Sequence, residues 1–264
     1  MKFIGSLTIG QYVPIDSTIH SLDPRTKLLG LILFMSLLFV YPFLEVYLFY
    51  LAFLHIILYL SNINYKVVWN GLKPIMLLIF LTAFFNLFFT QGKEVFWIIT
   101  REGIKNSILF SLRIYLLIFS SLLLTFTTSP LRLTDSIEFF LKPLKKVKVP
   151  VEEISLMLVI ALRFIPTIIN EIDRLIKAQK SRGVDFEKGN IIQRIKKLIP
   201  VFIPLFISFF KRADELAEAM ESRAYRGGAF RTKRVKLKFN RRDYISFAII
   251  LILFISTNII YIYA

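Results

Sequence analysis

The run LLGLILFMSLLFVYPFLEVYLFYLAFLHIILYL, Leu28 to Leu60, limits the fold more than any other stretch. As a single helix it would be about 50 Å long, well beyond the ~30 Å hydrocarbon core of a bilayer. Pro42 and Glu45 divide it, so it predicts two short spans joined by a tight hairpin. Further apolar runs lie at 74–90, 106–126 and 243–264. Hydrophobic residues make up 56% of the 264-residue chain, against roughly 45–50% in water-soluble domains. The expected fold is an all-α integral membrane protein with about five transmembrane helices, plus long amphipathic cytoplasmic helices. Spans at 28–43, 44–60, 74–90 and 106–126 would form an N-terminal membrane domain, 1–127. Residues 128–242 would form an interfacial and cytoplasmic domain, and 243–264 a last span.

Charge sets the orientation. Ser129 to Arg242 holds 25 Lys/Arg against 12 Asp/Glu, most of the chain's net +16. In a soluble protein such a block would suggest nucleic acid. Between membrane segments it reads as a cytoplasmic face near anionic lipid, and no nucleic-acid partner is expected. Counting back through four spans puts the N-terminus in the cytoplasm, and counting forward puts Ala264 outside. The mixed-charge connection QGKEVFWIITREGIK, on the outer side, reads as an interfacial turn of helix.

Catalytic and metal signatures are missing from the sequence. It has no phosphate-binding GxxxxGK[ST] loop, no HExxH and no GxSxG. It has no cysteine, and His20 and His55 are too few to build a transition-metal site unaided. No enzymatic activity and no cofactor of its own are expected. Among ionisable residues inside spans only Arg113 stands out, and burial of such a group is costly. It could reach the outer interface or pair with a polar group on another span, such as Asn86.

The cytoplasmic region carries two long helical patterns. In the first, apolar residues recur at Ile154, Leu158, Leu162, Ile165, Ile169, Ile172 and Ile176. The second starts at IIQRIKKLIPVFIPLFISFF and continues into a polar, Ala/Glu-rich end. Neither has ~20 uninterrupted apolar residues, so both read as amphipathic helices rather than spans. SPLRLTDSIEFFLKPLKKVKVP reads as a shorter interfacial helix.

The two long helices end alike. Asp173, Leu175, Ala178, Ser181 and Arg182 recur 41 positions later as Asp214, Leu216, Ala219, Ser222 and Arg223. One explanation is local: an arginine in a last turn can hydrogen-bond the terminal carbonyls and meet the negative end of the helix dipole. The other is a docking device. Small neighbours allow close approach, while the guanidinium presents several fixed donors to carboxylates or carbonyls. Two similar tips suit a partner with two similar grooves.

The triplets Ser181-Arg182-Gly183 and Ser222-Arg223-Ala224, with RFIPT…AQKSRG, LAEAMESRAYRGG and the N-terminal IGQYVPIDSTIHSLDPRTKLL, carry a family resemblance. The chain resembles the transmembrane T component of energy-coupling factor (ECF) transporters, whose two coupling helices each end in X-Arg-X, commonly Ala-Arg-Gly. Serine replaces the first alanine in both triplets, and Ala224 replaces the last glycine of the second. The resemblance implies a coupling subunit of an ATP-driven importer in a prokaryotic plasma membrane. Two ATP-binding-cassette ATPases, which bind the ATP, would receive Arg182 and Arg223. A membrane-embedded S component would rest on Ile154, Leu158, Leu162, Ile165 and Ile169 of one helix and Leu198, Phe202 and Phe206 of the other. The N-terminal stretch resembles the branch shared among several S components, which implies vitamins as cargo. The alternatives are a stand-alone secondary transporter or channel, and a membrane scaffold or insertase with a basic cytoplasmic face. Asp23-Pro24 reads as an N-cap followed by proline at the first helical position.

Overall fold

The computed structural model describes residues 12–96, 99–228 and 239–263. Residues 9–11 of the N-terminal stretch, the basic segment 229–238 and Ala264 lie outside the described residues. The chain divides into two compact units. One holds 12–136 and 239–263, the other 137–228.

In the first unit, Asp23 caps α1 (Pro24–Val40) by accepting from the Arg25 N–H, with Pro24 at the first position. Pro42 lies in the gap before α2 (Leu44–Leu60), as the sequence requires. α3 (Tyr65–Phe89) is longer than its apolar run. It begins at the Asn64 cap, which takes the Lys66 N–H at 2.9 Å, and it continues through Pro74. The helix thus starts ahead of the span expected at 74–90: an interior proline loses one backbone bond but need not end an apolar helix. α4 (Arg101–Thr127) and α8 (Arg241–Tyr263) complete the unit.

The connection between α3 and α4 differs from the interfacial helix expected. β1 (Glu94–Phe96) pairs antiparallel with β2 (Ile99–Thr100), and Glu94 stands opposite Thr100. The segment's β-branched and aromatic residues favour extended backbone. Its ends are fastened by Arg101 N–H to Lys93 O (3.0 Å), Lys93 N–H to the Glu102 carboxylate (2.8 Å) and Thr100 Oγ1 to Thr90 O (2.8 Å).

Among the described residues, α3, α4 and α8 are long and apolar enough to cross a membrane. α1 and α2 have 17 residues each, about 25 Å of helix. α4 is the most enclosed of the three long helices. Its Leu116, Phe119 and Phe126 meet Leu38 of α1, Tyr47, Tyr50 and Leu58 of α2 and Leu253 of α8 in one core. On α3, Leu77, Phe80 and Phe89 face outward. In a bilayer such outward side chains are solvated by lipid, and packing holds the helices together.

Ahead of α1, a turn docks against α4 through Val13 N–H to Phe126 O (3.0 Å). His20 secures it: one ring nitrogen, Nε2, faces Val13 O at 3.0 Å, so it carries the proton, and Nδ1 accepts from Ser17 Oγ at 2.7 Å. Both bonds suit the neutral ring. Burial, followed by the nearby Lys27 charge, lowers the His20 pKa below its ordinary value. The unfolded state then binds the proton first, so acid weakens this docking as pH falls below about 6.5. Amide exchange at Val13 is expected to accelerate between pH 7 and 5.5, beyond the intrinsic pH effect, and to lose that excess in His20→Gln.

The second unit contains two long helices. The unit boundary falls inside α5 (Pro130–Leu141), which is followed by a 3-10 turn, Lys142–Val147. α6 spans Val151–Ser181 and α7 Ile191–Ser222, with Pro166, Pro200 and Pro204 inside them. α7 starts with a capping box: Asn190 accepts from the N3 backbone, and the Gln193 side chain accepts from the Asn190 N–H.

Candidate coupling site

Both arginines occupy the same structural position. Arg182 is the C-cap of α6 and Arg223 the C-cap of α7. At the first end, Gly183 N–H bonds Lys180 O (3.0 Å) and Val184 N–H bonds Gln179 O (3.1 Å). At the second, Ala224 N–H bonds Glu221 O (2.8 Å) and Tyr225 N–H bonds Met220 O (3.0 Å). This is the Schellman arrangement twice, with the residue after each arginine in the left-handed region: Gly183 at φ +84° and Ala224 at φ +57°.

The motif bears on the local explanation of the arginines. Backbone N–H groups take the Gln179 and Lys180 carbonyls at one end and those of Met220 and Glu221 at the other, with no help from either guanidinium. Among the described residues, neither side chain makes a hydrogen bond or ion pair, and all six triplet residues are exposed. The serines turn back to their own helices, Ser181 Oγ to Lys177 O and Ser222 Oγ to Ala219 O, each at 3.1 Å. What each end offers to a partner is a guanidinium on a fixed backbone.

Ala224 is strained where Gly183 is not, because an L-residue in the left-handed region loses roughly 1–2 kcal/mol. Ala224→Gly is expected to stabilise this helix end by about 1 kcal/mol, seen as slower exchange of the Ala224 and Tyr225 amides.

α6 and α7 run antiparallel. Gln179 Nε2 reaches Pro200 O (3.5 Å), the Glu171 carboxylate meets Arg212 (3.8 Å), and Gly228 N–H meets Glu153 Oε1 (3.0 Å). Arg182 thus lies near the start of α7, while Arg223 lies near the start of α6. Some 24 residues of α7 separate the two levels, about 35 Å of helix. Glu171 and Arg212 are themselves related by the 41-residue offset, so the ion pair joins the repeats at matching positions. Arg174 shares the same carboxylate at 3.9 Å. Open to solvent on at least one side, these pairs contribute about 1 kcal/mol or less and set register more than stability.

The apolar residues divide unevenly. Ile154, Leu162, Ile165, Ile169 and Leu198 are half-buried, and Leu158 is exposed. Phe202 and Phe206 are 60% and 63% exposed, whereas Val201 and Leu205 beside them are buried. Phe206 packs edge-on against Phe210. The outward apolar stripe therefore lies mainly on α7, with Ile195, Ile199 and Phe202 along it.

The family model for cobalt transport proteins (CbiQ) matches residues 16–237, including both arginine-bearing ends. The chain is 47% identical over 249 residues to the energy-coupling factor transporter transmembrane protein EcfT of Clostridium kluyveri, with 92% of each chain covered. The protein of the same name from Ruminiclostridium cellulolyticum is 49% identical over 244 residues, covering 91% of each. That of Streptococcus equi subsp. equi is 46% identical over 252 residues, covering 94% of each. The chain belongs to the family of ECF transporter transmembrane components.

As a T component it carries site features that sequence reasoning missed. The loop between α6 and α7 is tied to α7: Lys197 Nζ donates to Asp185 O and Lys188 O, both at 2.7 Å, and Arg194 Nε donates to Gly189 O at 3.0 Å. Asp185 accepts from the Glu187 N–H, which, with Lys188, holds its carboxyl below the usual range. Behind the second arginine, Gly228 passes so close to α6 that a Cβ there would lie 2.5 Å from Glu152 Cβ. Lys145 pairs with Glu152 beside it.

Arg113 pairs with a span, but not through Asn86. Its Nε donates to Tyr47 Oη (2.7 Å), which donates on to Leu38 O (2.9 Å). The guanidinium also lies over Phe110 and Phe39, 5.2 and 5.4 Å from the ring centroids. Asn86 instead donates to Thr82 O in its own helix. Desolvated cation–π contacts help to offset the burial of this arginine.

Proposed function

We propose that this T component is the coupling scaffold of an ATP-driven importer, carrying the strokes of two ATP-binding-cassette ATPases to a substrate-binding S component. The observation that supports it is the pair of Schellman-capped tips, each presenting an exposed arginine at opposite ends of one antiparallel helix pair. Tips at opposite ends of one helix pair suit two sockets on two ATPase subunits standing side by side. Ser181, Arg182 and Gly183 fill one socket, and Ser222, Arg223 and Ala224 the other. ATP is bound by the partners. α6 and α7 act as the levers.

In this reading α1–α4 and α8 cross the plasma membrane of a prokaryote five times, with the N-terminus in the cytoplasm. The exposed stripe of α7 with Phe202 and Phe206, continued by Leu198, Ile154, Leu158, Leu162, Ile165 and Ile169, receives the S component. The cargo is a vitamin, selected by that S component.

Co-expression of the chain with an ATPase pair and an S component tests the proposal. One complex should be recovered, with ATP-dependent substrate uptake in liposomes. Uptake by the chain alone without nucleotide would support a stand-alone transporter and contradict the coupling role.

A further inference from the structure

An apolar cavity of about 260 Å³ lies inside the first unit, walled by α1, α2, α4 and α8. Leu31, Phe34, Ile57, Leu124 and Ile250 line it, and Lys27 stands among them. Ile56 and Ile249, also in its wall, are 57% and 45% exposed, so the cavity opens on the protein surface. An apolar cavity of this kind does not hold water well. At hydrocarbon depth its natural filling is an acyl chain.

Lys27 supplies the second half of the argument. Its ammonium donates to Thr127 O (2.8 Å) and, more weakly, to His20 O (3.4 Å), two neutral acceptors. Arg132, exposed at the start of α5, is close enough for the two cations to repel each other. Asp243 and Asp23 attract the Lys27 ammonium from nearby, but neither bonds it, and both accept from other groups. Asp243 accepts from the Asp23 N–H, Thr26 Oγ1 and the Asn240 N–H, while Asp23 accepts from the Arg25 N–H. An anion between Lys27 and Arg132 would turn their repulsion into attraction.

We infer that this cavity is a binding site for an anionic phospholipid, with one acyl chain between α1, α2 and α8 and the phosphate at Lys27 and Arg132. The occupant comes from the surrounding bilayer. A lipid held there links α1 and α2 to α8, a helix that shares a loop with neither.

Native mass spectrometry of the full chain in mild detergent tests the site, with phosphatidylglycerol, phosphatidylcholine of the same acyl chains, and oleate as probes. Each basic residue near a membrane surface is worth about 1 kcal/mol toward an anionic lipid, so phosphatidylglycerol should be retained roughly fivefold or more over phosphatidylcholine. Arg132→Gln, at an exposed position, should remove that preference. Ile56→Trp, which fills the cavity from its open side, should lower retention of both phospholipids. Equal retention of the two phospholipids by the unaltered chain would overturn the inference. So would oleate held as well as phosphatidylglycerol, or both variants binding like the parent.

Discussion

Replacing both Arg182 and Arg223 by alanine is expected to abolish ATP-driven uptake while leaving the membrane unit folded. Each guanidinium is exposed, and the Schellman bonds of its helix end are made by backbone N–H groups alone. Truncation therefore removes nothing that the helix needs. In the assembled complex each arginine would enter a buried, charge-assisted contact, whose loss typically costs ~2–5 kcal/mol. Two such losses lower ATPase affinity by several powers of ten, and single variants should each retain partial association. Co-purified ATPase and uptake in liposomes read the effect. A double variant that transports like the parent, with unchanged subunit recovery, contradicts the docking role.

The second large effect concerns stability. Asp243, 1% exposed, joins the start of α8 to the start of α1 across 220 residues of sequence. One carboxylate oxygen takes the Asp23 N–H (2.8 Å) and Thr26 Oγ1 (3.3 Å), and the other takes the Asn240 N–H (2.7 Å). Asp243→Ala leaves these donors without an acceptor, at about 3 kcal/mol, since hydrogen bonds to charged groups are worth ~1.5–3 kcal/mol each. Amide exchange within α8 should rise roughly a hundredfold. Arg242→Ala next to it loses one exposed bond to Ser21 Oγ and should shift exchange by less than about fivefold. Equal effects of the two substitutions would remove the special role given to Asp243.

Much of the membrane unit was legible because its signals are local. A bilayer demands long apolar helices, and Asp23-Pro24 and Pro42 mark helix ends through their own backbone chemistry. Pro74 misled because a proline inside an apolar helix can be absorbed by the surroundings, which no local signal reveals. The strand pair at 94–100 failed for the opposite reason: a mixed-charge loop suggested an interface, while side-chain and backbone bonds across the loop chose extended structure.

At the candidate coupling site the repeat was legible in the sequence but the geometry of the two ends was not. Ser-Arg-small recurs at a fixed offset, which is visible without coordinates. That Gly183 and Ala224 adopt positive φ, and so release the arginines from capping, required the backbone. The antiparallel pairing through Glu171 and Arg212 depends on contacts 41 residues apart, beyond any periodicity within one helix. Asp243 carries no local signal of its role, because its partners Asp23 and Thr26 lie at the other end of the chain.

Movement of the two tips with the nucleotide cycle can be measured directly, because the chain has no cysteine. Lys177→Cys with Glu218→Cys places spin labels at matching exposed positions, one turn before each triplet. In the complex with ATPases, the distance between the labels should change by several ångströms between nucleotide-free and ATP-bound states, and Arg182→Ala with Arg223→Ala should abolish that change. A distance that is the same in both states, or that shifts equally without the arginines, would contradict force transmission through these helix ends.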